Sequence, residues 1–214
     1  MFQLEISDSR SLPDIADCHQ ACFPSSFSTK LGKKYVIKSL SWFLDHPKRF
    51  LFHIRSQQKV VGYCGGFLPV KDGDGSSSGM IQQGFNEAVL GIVKNPLLLF
   101  HSELRPHYPL IWLNIKRKIS GKIIPINPKS TSQNNKPFDP AVGLVVIGVH
   151  PEARGTEVIK MLMKNFDENV KALQKIEGQL SVKKDNSRAI HAYEKYGWSV
   201  KLEKNDAFVM HKIL

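Results

Sequence analysis

Residues 141–160 read AVGLVVIGVHPEARGTEVIK, and this stretch decides how the rest of the chain is understood. Residues 141–149 are a continuous apolar run rich in β-branched side chains, the pattern of a strand buried on both faces. A polar turn, His150 to Gly155, follows. Val158, Ile159, Met161, Leu162, Met163 and Phe166 then recur at the spacing of one helical face. A buried strand that turns tightly into a helix leaves backbone N–H groups without partners. Those amides, with the positive end of the helix dipole, suit an anion. Arg154 and Lys160 add positive charge beside them. The same pattern also describes an ordinary strand-to-helix turn, so its meaning depends on what comes next.

What comes next is a second strand, GQLSVKK (178–184), and then DNSRAIHAYEKYGW (185–198). Asn186 stands where it can cap a helix that runs to Tyr196. Ala189, Ala192 and Tyr193 share one face of it, and Gly197 supplies the left-handed stop. WSVKL (198–202) and AFVMHKIL (207–214) are expected to close the chain as a hairpin. Taken alone, this helix reads first as a capped amphipathic segment with a core tyrosine.

Upstream, Gln3 to Ser7 alternate as a short edge strand. Ser11-Leu-Pro-Asp starts a helix, with Ser11 as N-cap and Pro13 near the first turn; it stops at Pro24, with Ile15, Ala16, Cys18, Cys22 and Phe23 at helical spacing. A further helical segment spans about Gly32 to Asp45 and buries Tyr35, Val36, Leu40, Phe43 and Leu44. FLFHIR (50–55) and KVVGYCGGFLPV (59–70), joined by Ser56-Gln57-Gln58, form a hairpin. Residues 71–139 then interrupt the pattern. Lys71 to Gly79 is a Gly/Ser/Asp loop, and Ile81, Phe85, Ala88, Val89, Ile92 and Val93 mark one amphipathic helix ended by Pro96. LIWLNIKRKI (110–119) marks another, and Pro125 to Pro140 form a long connection. No internal repeat is visible.

The two downstream segments, in this order and separated by one helix and one strand, resemble the GNAT acetyltransferase superfamily. V-H-P-x-x-R-G before an apolar helix is similar to that family's Q/R-x-x-G-x-G/A motif. N-x-x-A-x-x-x-Y-x-x-x-G-W is similar to the motif that follows it. The resemblance is strongest over 141–198, weaker over the N-terminal strand, the two helices and VGYCGGF, and absent from 71–139. It implies an α/β fold with a mixed, mostly antiparallel central sheet flanked by helices, as a single domain over 1–214. The long insertion 71–139 falls between the third and fourth strands, toward the acceptor side. It implies an N-acyltransferase that moves an acetyl or other acyl group from acetyl-CoA (or another acyl-CoA) to a primary amine. By the same resemblance the backbone of Ile147 and Val149 pairs with pantetheine, and Arg154, Gly155, Thr156, Glu157, Val158, Ile159 and Lys160 hold the pyrophosphate. Asn186 contacts the cofactor arm, and Tyr193 is the acid that protonates the leaving thiolate. Glu157 and Ile159 stand where the family pattern has small residues. Glutamate brings like charge to a phosphate, and both side chains oppose the close approach that glycine allows.

The chemistry needs a neutral amine, so a base or a water path must take its proton. His150, Glu152 and His107 are candidates, each with an equally good structural role. Asp185 reads as a turn residue, His191 as solvated, and Lys116-Arg117-Lys118 as a helix end. No covalent intermediate is required, so no nucleophilic cysteine is expected.

Composition bounds the alternatives. The chain has 214 residues, a formal charge of +11 and 42% hydrophobic residues, enough for a core. No run reaches the ~18 apolar residues of a membrane-spanning helix. MFQLEISDSR lacks the basic-then-apolar order of a signal peptide. Cys18, Cys22 and Cys64 suit core packing rather than a disulfide framework or zinc site, so no metal and a reducing, cytoplasmic setting are expected. The positive charge fits an anionic partner: a polyphosphate cofactor, an anionic membrane surface or nucleic acid. Nucleic acid fits least, because aromatics do not interleave with the basic residues. LLLF, LIWL and KRK in the insertion allow peripheral membrane contact. Two rivals to the enzyme therefore stand: a degenerate GNAT fold kept as a CoA-binding module, and a basic membrane-surface or nucleic-acid binder. The acceptor is read first as a small amine such as an amino sugar, and second as a protein N-terminus or lysine.

Overall fold

A computed structural model describes residues 1–71, 74–101, 104, 108 and 140–214. Alternating and β-branched segments form one seven-stranded sheet in the order β1-β2-β3-β4-β5-β7-β6. Its strands are β1 (Phe2–Ile6), β2 (Arg49–Ser56), β3 (Lys59–Phe67), β4 (Val142–Val149), β5 (Glu177–Lys183), β6 (Ser199–Glu203) and β7 (Ala207–Ile213). Every neighbouring pair is antiparallel except β4–β5. The mixed, mostly antiparallel sheet is the one expected, with β1 at an edge.

Helices cover both faces. On one side lie α1 (Leu12–Cys22), α2 (Phe27–Leu31) and α3 (Lys33–Ser41). Ile15, Val36, Leu40 and Phe43 there pack with Leu51, Val60 and Tyr63 of the sheet. The core on the other side is built by α6 (Val158–Ala172), where Val158, Leu162, Phe166 and Val170 are fully buried against Phe52, Cys64, Val142 and Leu180. A last helix, α7 (Ser187–Lys195), precedes the closing hairpin. Gly197, at φ +86°, takes the left-handed conformation that ends it.

Several boundaries differ from the sequence reading. The segment assigned to 32–45 is α3 followed by a 3-10 turn at Trp42–Leu44, and α2 precedes it as a separate short helix. Strand β3 ends at Phe67 rather than at 70. Ser11 starts α1 but does not cap it. Its hydroxyl accepts from the Asp8 N–H and donates to the Asp8 carbonyl instead. Between β3 and β4 the single helix expected over 81–93 is two, α4 (Ser76–Gln83) and α5 (Phe85–Lys94), broken at Gly84. Gly84 abuts the Tyr35 ring: a Cβ there would lie 2.8 Å from Tyr35 Cε2, so close packing outweighs helical continuity. The segment 110–119, most of the Pro125–Pro140 connection, His107 and Lys116-Arg117-Lys118 lie outside the described residues.

Candidate active site

The site begins where β4 and β5 part. The two parallel strands are registered only at Val142↔Gly178 and Gly143↔Gln179. Beyond that point β4 runs on to Val149 along β3, and β5 runs on to Lys183 along β7. The register of β4 against β3 skips Val145, a bulge that bends the strand just past the parting.

Register also fixes which backbone groups face the gap. The His150 N–H donates to the Val61 carbonyl at 2.9 Å, so 150 and 61 form a hydrogen-bonded antiparallel pair. Such pairs alternate, so Gly148 faces Tyr63 in the same way. Ile147 and Val149, on the intervening non-hydrogen-bonded pairs, therefore turn their N–H and C=O groups away from β3, toward the gap. Gly148 is required by its neighbour: a Cβ there would meet the Tyr63 ring at 2.5 Å.

At the end of β4 the chain makes a short 3-10 turn, Pro151–Ala153, and enters α6 through Arg154-Gly-Thr-Glu157. Gly155 has φ +80°, and Arg154, Gly155, Thr156, Glu157 and Lys160 are exposed. Thr156 Oγ1 donates to the Ala153 carbonyl at 2.6 Å and accepts weakly from the Val158 N–H. The Glu157 side chain does not cap the helix. The first-turn amides of Ile159 and Lys160 thus keep the unpaired character of any helix start. Val158 is buried and Ile159 packs against the core, so these two contribute backbone rather than side chain at this surface.

From the other side, Asn186 Oδ1 accepts from the Ala189 N–H at 3.3 Å and caps α7, as the sequence reading has it. Tyr193, on the same helix, packs against the core cluster that also receives Ile147, Val149 and Ile159. Its ring lies 6.1 Å from that of Trp198. Burial, and secondarily the neighbouring Cys64 thiol, push its phenol up to about 12. The structure therefore brings Tyr193, the free edge of β4 and the start of α6 around one core.

One residue here escaped the sequence reading. Arg188, in the first turn of α7, adds positive charge that acts on the Cys22 thiol, as does Arg154, whose guanidinium donates to the Cys22 carbonyl at 3.5 Å. Cys18, the closest partner at 3.9 Å, and then the two arginines lower the Cys22 pKa. Arg154 thus reaches from the start of α6 to the end of α1. The available signal was a basic residue two positions after a helix-capping asparagine.

The candidate bases fare differently. Glu152 is tied to Lys59 at 2.7 Å, which holds its carboxyl below the usual range. His150 is buried, and its Nδ1 accepts from the Glu152 N–H. With Asp14, Asp17, Cys18 and Lys59 it lines a cavity of about 580 Å³ at the β2–β3 turn, away from Tyr193. Asp185 and His191 are exposed. A histidine not singled out in the sequence, His19, is more enclosed. Its Nδ1 meets the buried Tyr63 hydroxyl at 2.6 Å and its Nε2 meets Ser28 Oγ at 2.9 Å. Burial lowers its pKa from 6.5 to about 4. The unfolded chain therefore takes up a proton before the folded one does. Stability contributed by neutral His19 is complete above about pH 6.5 and is lost as pH falls toward 4, by up to about 3 kcal/mol. Denaturant melts between pH 7 and 4 should show that loss, and His19→Gln should flatten it.

Comparison with known proteins bears on these features. Residues 98–198 match the model of the acetyltransferase (GNAT) family. No curated protein matches the chain by sequence. Among solved structures, a PaiA N-acetyltransferase from Thermoplasma acidophilum in complex with coenzyme A superposes with a TM-score of 0.56 at 12% identity, covering 100% of this chain and 99% of that one. A ribosomal-protein alanine N-acetyltransferase from Escherichia coli gives 0.52 at 12% identity, with 100% and 94% covered. A chimeric spermidine N-acetyltransferase from Vibrio cholerae gives 0.51 at 12%, with 99% and 95% covered. Residues 98–198 thus carry the likeness to the acetyltransferase (GNAT) family, and the sheet and flanking helices of the chain have the GNAT fold.

Proposed function

We propose that the chain is an acetyl-CoA-dependent N-acetyltransferase that acetylates a primary amine by direct attack, with Tyr193 as the acid. The observation that carries this reading is the free edge of β4, where Ile147 and Val149 present unpaired backbone between the start of α6 and Tyr193. A pantetheine arm has amides to pair with such an edge, and its pyrophosphate suits the exposed amides of Gly155–Lys160 with Arg154 beside them. Asn186 keeps its side-chain N–H₂ group for the same arm while its oxygen caps α7. The degenerate, non-catalytic reading loses force because the groups needed for chemistry surround the same gap.

The residues then have distinct tasks. The Val149 N–H, turned into the gap, stabilises the oxyanion that forms when a neutral amine attacks the thioester carbonyl. Tyr193 delivers its proton to the departing thiolate, and the proton that the attacking nitrogen sheds leaves along a water path and restores the phenol. Burial keeps the phenol protonated over the whole neutral range, so the acid form is always present. The three buried, reduced cysteines suit a reducing, cytoplasmic compartment.

The acceptor is proposed to be a small amine, with an amino sugar first and a protein N-terminus or lysine second. Relatives of this fold include a spermidine and a ribosomal-protein alanine N-acetyltransferase, so both classes are compatible with it. Consumption of acetyl-CoA measured against a panel of amino sugars, polyamines and peptides tests the proposal. Turnover with at least one amine is expected; acetyl-CoA left intact across the whole panel would overturn the enzymatic reading.

Glu157 supplies a second prediction. Its exposed carboxylate stands at the N-cap of α6, beside the proposed pyrophosphate. Glu157→Gly removes like charge and clears the approach, and glycine is tolerated at an N-cap. At an exposed site this repulsion amounts to ~1 kcal/mol, so CoA should bind about five-fold tighter by calorimetry. Weaker binding would contradict the charge argument.

A further inference from the structure

Helix α5 is apolar nearly all the way round. Its inner face, Ala88, Gly91 and Ile92, packs on Leu31 of α2 and Tyr35 of α3. Its outer face carries Val89, Leu90 and Val93, and the 3-10 segment Pro96–Phe100 continues that surface with Leu97 and Phe100. Val93, Leu97 and Phe100 are 70%, 77% and 74% exposed. An exposed apolar patch that continues from a helix into the next segment marks an interaction surface.

Charge beside the ridge identifies that phase. Lys94 stands on α5 itself, and α2 and α3, the helices on which α5 packs, carry Lys30, Lys34 and Lys38, all exposed. None of the four is paired with a carboxylate among the described residues, whereas Lys33 is held by Asp17 at 2.6 Å. Glu87 is the one acidic residue of α2, α3, α5 and the Pro96–Phe100 segment. An apolar strip fringed by unpaired lysines matches the two layers of an anionic bilayer: acyl chains below, phosphate headgroups above. A second copy of the chain would bring the same lysines to the interface and repel.

We infer that the α5 to Phe100 ridge is a docking surface for an anionic phospholipid membrane. This goes beyond the acetyltransfer reading and does not depend on it. The ridge residues stand outside the site around Tyr193.

Sedimentation of the full chain with vesicles tests it, using phosphatidylcholine alone and phosphatidylcholine mixed with phosphatidylglycerol. Binding to the mixed vesicles should exceed binding to the neutral ones and should weaken with salt. Leu97→Ser with Phe100→Ser should lower the partition coefficient at least ~10-fold, because both apolar groups leave the acyl boundary. Lys34→Glu with Lys38→Glu should lower it on mixed vesicles only, also by ~10-fold. All four positions are exposed, so melting temperature should hold, and this is checked alongside. Absence of binding to mixed vesicles, or binding indifferent to the Leu97 and Phe100 changes, overturns the inference. So does concentration-dependent self-association that those changes abolish without any lipid binding.

Discussion

Tyr193→Phe should lower kcat on the order of 10²–10⁴-fold while leaving the fold and CoA affinity intact, the range set by losing a positioned acid. The variant separates the two roles the ring can play. As a packing element Tyr193 lies against Trp198 and the core beside Cys64, and phenylalanine preserves all of that. As an acid it acts only through its hydroxyl. The phenol pKa of about 12 sharpens the test: no falling limb from Tyr193 ionisation should enter the pH–rate profile near neutrality. Single-turnover measurements, in which chemistry is isolated from product release, should show the full loss. An unchanged single-turnover rate in a well-folded variant would remove Tyr193 from the chemistry and leave the fold assignment standing.

Phe166→Ala should cost about 3–5 kcal/mol of stability, the usual range for emptying a buried aromatic site. Phe166 is fully buried on α6, with Phe50 and Trp198 rings both 5.8 Å away. It also sits beneath the point where the sheet parts. A Cβ on Gly178 would come within 2.9 Å of Phe166 Cε1, and Gly178 is the residue of β5 registered with Val142 of β4. The ring therefore packs under one of the two positions at which the strands are still registered. Chemical denaturation should show the loss as a lower midpoint with an unchanged slope. A cost below about 1 kcal/mol would mean that the surroundings collapse into the space and that Phe166 is no support for the parting.

The sequence was most legible where one period dominated. The run at 141–149 and the helix after it could be read directly, because a strand buried on both faces and an amphipathic helix leave opposite patterns. The Asn186 cap and the Gly197 stop were legible for the same reason, each being a local device with a local cause. Legibility failed where distant residues decide. Gly84 breaks a helix because Tyr35 and Ser39, far back in the chain, press on it. The outward apolar face of α5 has the same periodicity as an inward one, so residues 81–93 read as an ordinary amphipathic helix. His19 was missed because it belongs to no sequence pattern, and Arg188 because its one signal, a place two residues after the capping asparagine, says nothing of what its charge acts on. Their meaning comes from Cys22 and Tyr63, neighbours made by the fold. The free edge of β4 was expected only through resemblance. Its physical basis, a parallel pair registered at just two positions and a bulge at Val145, is a matter of register that no spacing in the sequence encodes.

The central claim is that the β4 edge at Ile147 and Val149 receives the pantetheine arm, and amide hydrogen exchange at single-residue resolution tests it most directly. Without ligand, the Ile147 and Val149 amides face the gap with no partner strand, while those of Gly148 and His150 face β3. Saturating acetyl-CoA should slow exchange at one or both gap-facing amides by an order of magnitude or more and change Gly148 and His150 far less. A ligand at 100 times its dissociation constant should also stabilise the whole chain by ~2.7 kcal/mol. Protection confined to 147 and 149 above that global change is the result expected. Exchange at both amides that stays the same at saturating acetyl-CoA would contradict the account.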